Sequence, residues 1–148
     1  VDDINQIRNR VALAKREERR ASNDMHNHKH RADHEQSQLE TCLTYKEECL
    51  NGLKTAKDSG LSVVQIRECQ LLVQYLDSVV ETRQYKADIS QENYKKAELE
   101  WQETHDSMEN LKQELHKLEE ENNDEIELID DSRLIHKKSY KVYKRKNK

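Results

Sequence analysis

Proline and phenylalanine are absent from this 148-residue sequence, and glycine occurs twice. Turns draw on glycine and proline, so the chain has material for one or two breaks between regular elements and no more. No apolar run approaches the roughly 18 residues that a membrane span needs, and no secretory signal peptide is visible. Three cysteines in a polar, helix-forming chain do not make a disulfide framework, which points to a reducing compartment. Catalytic signatures are missing too: there is no glycine-rich nucleotide loop, HExxH or CxxC. The chain begins with Val1 rather than Met, so a few native residues are expected to precede it.

What the sequence does have is charge, 38% of residues, against 33% apolar. The apolar residues are ordered. Every seventh residue from Ile66 is apolar: Ile66, Val73, Val80, Ala87, Tyr94, Trp101, Met108 and Leu115. The companion positions three residues on are Cys69, Leu76, Arg83, Ser90, Ala97, Thr104, Leu111 and Leu118, mostly apolar or small. A period of 3.5 keeps one stripe facing a neighbouring helix, so this is the seam of a coiled coil. A long amphipathic helix lying on a globular core would show a similar stripe, but the sequence offers no separate core.

A first helix over about Asp3–Ala56 carries its own 3-4 seam, from Ile4, Ile7, Val11 and Ala14 to Cys49, Leu53 and Ala56. Glu18, His28, Glu35 and Lys46 interrupt it, so its helicity is expected to depend on packing. The break falls at residues 57–61. Gly60 suits the left-handed conformation that ends a helix. Ser62 and Gln65 have the spacing of a capping box, and Leu61 and Ile66 that of a hydrophobic staple. The second helix starts at Ser62 and has no strong stop. A short connection makes neighbouring helices antiparallel. The expected fold is therefore all-α: one elongated antiparallel two-helix coiled coil, an α-hairpin rod with helices of about 80 Å and at least about 85 Å. A parallel dimer is the alternative topology.

Folding the hairpin about its turn sets seam residues opposite each other when their numbers total 118 or 119. Leu53 then meets Ile66, Cys49 meets Cys69, Leu39 meets Val80, Met25 meets Tyr94, Val11 meets Met108, Ile7 meets Leu111 and Ile4 meets Leu115. Glu35 meets Arg83, and a paired charge in a seam can fix register. Glu18 falls opposite Trp101, and its carboxylate is expected to swing outward. The second helix outlasts the first beyond about Leu115, leaving an overhang of up to about 50 Å.

Charge is ordered along that overhang. Glu119, Glu120, Glu121, Asp124, Glu125, Glu127, Asp130 and Asp131 form an acidic block broken by Ile126, Leu128 and Ile129. From Arg133 to Lys148 there is no acid, and eight Lys and Arg residues are interleaved with Leu134, Ile135, Tyr140, Val142 and Tyr143. Such a segment is either a solubilising tail or a docking tip, and unpartnered apolar residues favour the tip. The N-terminal helix brings Arg8, Arg10, Lys15, Arg16, Arg19 and Arg20 to the same end. A basic tail also suits non-specific phosphate binding, but the adjacent acidic block opposes nucleic acid and no reading element is visible.

Two side-chain groups remain. His26, His30 and His34 stand at i,i+4 spacing and could share a metal on one helix face; a weakly packed exposed segment is the simpler reading, and no native metal or other cofactor is expected. Cys49 and Cys69 fall in one layer, where oxidation could join them if geometry allows; buried, reduced thiols are expected. A two-helix rod offers no pocket for a small-molecule substrate or for tuning a catalytic group, so the chain is not expected to be an enzyme.

The segments Ile7-Arg8-Asn9-Arg10 and Lys15-Arg16-Glu17-Glu18-Arg19-Arg20, with an unbroken helix, a short central turn and a longer charged second helix, resemble the YscO/FliJ family of bacterial type III secretion and flagellar export. The whole chain except its basic last sixteen residues fits, and a virulence-type, YscO-like member fits better than a flagellar one. The resemblance implies an antiparallel coiled coil similar to the gamma stalk of rotary F-type ATPases. It implies a cytoplasmic central stalk, peripheral to the inner-membrane export apparatus. Its partners would be the hexameric export ATPase, the cytoplasmic domain of the export-gate protein and secretion chaperones. The ATPase-facing end would comprise the basic segment Arg8, Arg10, Lys15, Arg16, Arg19 and Arg20 with Leu111, Leu115, Leu118 and Ile126. The turn end or the exposed middle would be left for gate and chaperones. The rival reading is a generic structural or scaffolding coiled coil.

Overall fold

The computed structural model describes residues 2–56, 58 and 60–146, and side chains over 3–56, 58 and 60–135. The chain is all-α. Helix α1 spans Asp2–Lys54 and α2 spans Val63–Lys146, with no strand among the described residues. The two helices pack against each other as an antiparallel hairpin coiled coil.

The connection is built from the local signals expected of it. Helix α1 ends two residues before Ala56 because its last turn tightens: the Ala56 amide donates to Leu53 O at 3.2 Å and the Asp58 amide to Thr55 O at 3.1 Å, both i→i−3. Gly60 has φ +73°, and beyond it the Leu61 amide donates to Ala56 O at 3.3 Å. A left-handed residue followed by a bond reaching back five residues is the Schellman stop. Ser62 is the cap of α2 rather than its first residue. Its amide donates to Gln65 Oε1 at 2.9 Å and its hydroxyl oxygen accepts from the Gln65 amide at 3.2 Å, the reciprocal pair of a capping box. Leu61 and Ile66 are both half-buried.

Every position of the two expected seams is buried or half-buried. The seam between two helices is shallow, so even Leu39, Val11 and Leu76 keep 3–5% of their surface exposed. The chain divides into two compact units: Val1–Glu18 with Glu103–Lys148, and Arg19–Gln102.

Ion pairs between the helices report the stagger within each unit. In the first, Arg8 binds Glu119 at 3.1 Å and Glu18 approaches His105 at 3.6 Å; these numbers total 127 and 123. In the second, Glu35 approaches Arg83 at 3.8 Å, and Lys46 contacts Asp77; these total 118 and 123. The Glu35–Arg83 pair was anticipated, but the other three lie four to eight residues beyond the expected register. Side chains lean toward the N-terminus of their own helix, so in an antiparallel pair long charged groups meet beyond the layer that their backbones share, which is the direction in which these three pairs depart. Val11, Ala14 and Met108 are all buried in the seam, at 5%, 8% and 6% exposure.

In the second unit Tyr94 hydrogen-bonds Glu98. That bond raises the phenol above its ordinary pKa, with smaller contributions from burial and from the charges of Glu98 and Asp33.

Candidate functional site

The first unit holds most of the residues expected at an interaction site. Arg10, Lys15 and Arg16 project from α1 and are exposed. Arg8 differs, because its Nε and Nη2 both donate to Glu119 Oε1, at 3.2 and 3.1 Å. It is part of the inter-helix contact as well as of the basic surface, with its side chain 55% exposed. Arg19 and Arg20 are also exposed but belong to the second unit. Glu18 does not swing outward as expected. Its side chain is only 18% exposed and faces His105, which carries charge when protonated. A carboxylate in a seam is held where a cation can neutralise it, because leaving it unpaired there is costly.

On α2, Leu111, Leu115 and Leu118 are half-buried in the seam. The strict heptad continues through Asn122, Glu125 and Ile129, and the apolar Ile126 stands one residue off it. The stripe has no intramolecular partner there: residues 123–135 are all exposed, Ile126 at 50% and Ile129 at 52%. With Arg8 bound to Glu119, α2 runs unaccompanied from about residue 120, and its helix is continuous to Lys146. Leu128 and Ile135, 67% and 66% exposed, lie on a different face, and Leu128, Ile129, Ser132 and Arg133 line a shallow depression. The side chains of the basic residues from Lys137 to Lys148 lie outside the described residues.

The second unit carries a surface that the sequence reading missed. On the outer face of α2, Val64, Leu71, Tyr75, Tyr85 and Ile89 are exposed, from 38% at Ile89 to 67% at Tyr85. With Ser78 and Thr82 they repeat at alternating four- and three-residue steps, and Glu68 is the one charge among them. Surface apolar residues scattered singly are ordinary, but a row with coiled-coil spacing is a ready face for another helix. The signal was present in the sequence as a second 3-4 repeat, offset by two residues from the seam.

The other expected groups are placed simply. His26, His30 and His34 are exposed, and among the described residues no three His, Cys, Asp or Glu side chains gather as a metal site. His26 Nδ1 lies 2.7 Å from Ser22 O, one turn back. Cys42, Cys49 and Cys69 are free and half-buried. No helix among the described residues is long and apolar enough to cross a membrane.

No match was found among curated proteins or among solved structures. The family model described as flagellar FliJ protein matches residues 10–134, a span that takes in most of both helices, the turn, most of the basic N-terminal segment and the apolar stripe through Ile129. With that match over most of its length, the chain belongs to the FliJ family, the stalk-type components of flagellar and type III protein export.

Proposed function

We propose that this chain is a non-enzymatic coupling stalk of a type III export apparatus, flagellar or virulence-type, that works in the cytoplasm beneath the inner-membrane gate. Its first unit engages the hexameric export ATPase. The observation that carries this is the coincidence, in one unit, of exposed cations on α1 and an unaccompanied apolar stripe on α2. The cations Arg8, Arg10, Lys15 and Arg16 suit the rim of a pore lined with acidic groups. Leu111, Leu115 and Leu118 stiffen the hairpin behind them, and Ile126 and Ile129 offer apolar contact ahead of them. The outer stripe Val64–Ile89 is the surface for the gate protein's cytoplasmic domain or for secretion chaperones, which would lay a helix along it. The chain performs no chemistry; it transmits the state of the ATPase to the gate.

The test is export ATPase turnover with and without this protein. Stimulation is expected, and replacing Arg10, Lys15, Arg16, Arg19 and Arg20 by Gln should abolish most of it while the helical content stays unchanged. Absence of both stimulation and physical association would refute the reading. Changing Leu71 and Tyr75 to Ser should leave ATPase stimulation intact and weaken association with the gate domain or a chaperone.

A further inference from the structure

We infer that the unaccompanied end of α2 is a self-association surface, on which two copies of this chain pair antiparallel through residues of about 119–146. Helix α2 is continuous to Lys146, so the acidic block Glu119–Asp131 and the basic residues from Arg133 to Lys146 lie end to end on one helix. The acidic block holds eight charges and this basic stretch seven, and they meet at Ser132, a single uncharged residue between Asp131 and Arg133. An antiparallel copy centred near Ser132 places each acidic block along the other chain's basic block, twice, by a two-fold axis. That is the self-complementarity an isologous contact requires. A parallel copy would set acid on acid and base on base. The arrangement also gives the exposed apolar residues a partner. Leu128, Ser132 and Ile135 have seam spacing, straddle the centre and are exposed, so a two-fold contact there buries the same residues from both chains. A partner of uniform charge would match half of the surface only. The segment of about 26 residues also exceeds the roughly 12–15 that a helix needs to hold together in water. The pairing would occupy the same end that we assign to the ATPase, so it describes a resting form. It stands or falls independently of that assignment, because its test involves this chain alone.

Sedimentation equilibrium of the full chain over a wide concentration range should show a reversible monomer–dimer equilibrium at about 50 mM salt, weakened at least about tenfold at about 500 mM. Two charge-reversed chains separate pairing from folding. In one, Glu120, Glu121, Asp124, Glu127, Asp130 and Asp131 become Lys; in the other, Arg133, Lys137, Lys138, Lys141 and Lys144 become Glu. Each alone should be a helical monomer, and an equimolar mixture should form a heterodimer. A wild-type chain that stays monomeric throughout would overturn the inference. So would a dimer indifferent to either reversal, or reversed chains that fail to pair on mixing. Binding of the monomer to vesicles of anionic phospholipid, with no self-association, would assign the basic block to a membrane surface instead and equally overturn it.

Discussion

Single residues decide where the hairpin turns and which positions can be altered cleanly. Gly60 has φ +73° with open space where a Cβ would stand, so an alanine there meets backbone strain but no clash. Gly60→Ala should cost about 1–2 kcal/mol, and Ser62→Ala about 1 kcal/mol through loss of its bond from the Gln65 amide. Ser62→Gly should cost only a few tenths of that. Thermal unfolding followed by circular dichroism orders the three variants; a Gly60→Ala protein as stable as the parent would mean that the turn is not pinned there. Arg8 contrasts with these. Its ion pair with Glu119 is half-exposed on both sides, and such pairs contribute about 0–1 kcal/mol. Neutralising it therefore perturbs the surface far more than the fold.

At the level of the helices, the seam was legible because 3.5-residue spacing is a property of the sequence itself. Ile66 to Leu118 could be picked out without coordinates, and all of those positions are removed from full exposure. The Schellman stop and capping box were legible for the same reason, since Gly60, Ser62 and Gln65 act over a few residues. The offsets of the ion pairs were not, because they depend on how far charged side chains reach along the helices, and nothing in the spacing records that. Two cysteine pairs test the register of the backbones. With the native cysteines replaced by Ser, Val11→Cys with Met108→Cys should cross-link readily on oxidation, and Ala14→Cys with Met108→Cys should do so poorly. The opposite ranking would move the register to near 122. The pair Glu35 and Arg83 gives a second test. Glu35 Oε2 is buried without a hydrogen bond, and Arg83 stands 3.8 Å away with 33% of its side chain exposed. Arg83→Leu alone should destabilise by about 1–3 kcal/mol, since it strands a carboxylate. Glu35→Leu with Arg83→Leu together should be neutral or stabilising. A double variant less stable than the parent would mean that the pair contributes net stability.

For the whole chain, the candidate surfaces were only half legible. Exposed cations at Arg10, Lys15 and Arg16 follow directly from their places off the seam, whereas the row Val64–Ile89 went unseen because one strong stripe masks a weaker one beside it. The hairpin topology itself makes a kinetic statement. Contacts near the turn join residues close in sequence, such as Leu61 and Ala56, whereas Arg8 and Glu119 are separated by 111 positions. Closing the longer loop costs more chain entropy before any contact repays it. The helices should therefore pair first beside the turn and then zip toward the termini. A perturbation at the turn, Ser62→Ala, should act mainly by slowing folding. One in the terminal unit, Ile7→Ala, should act mainly by accelerating unfolding, because its contacts form after the transition state. Ile7 is 8% exposed in the seam, so the substitution should cost about 2 kcal/mol or more, enough for its effects on the two rates to be separated. Stopped-flow denaturant-jump measurements on both variants decide the matter. If Ile7→Ala slows folding as strongly as it speeds unfolding while Ser62→Ala leaves folding untouched, the hairpin starts from its terminal end and the turn only accommodates it.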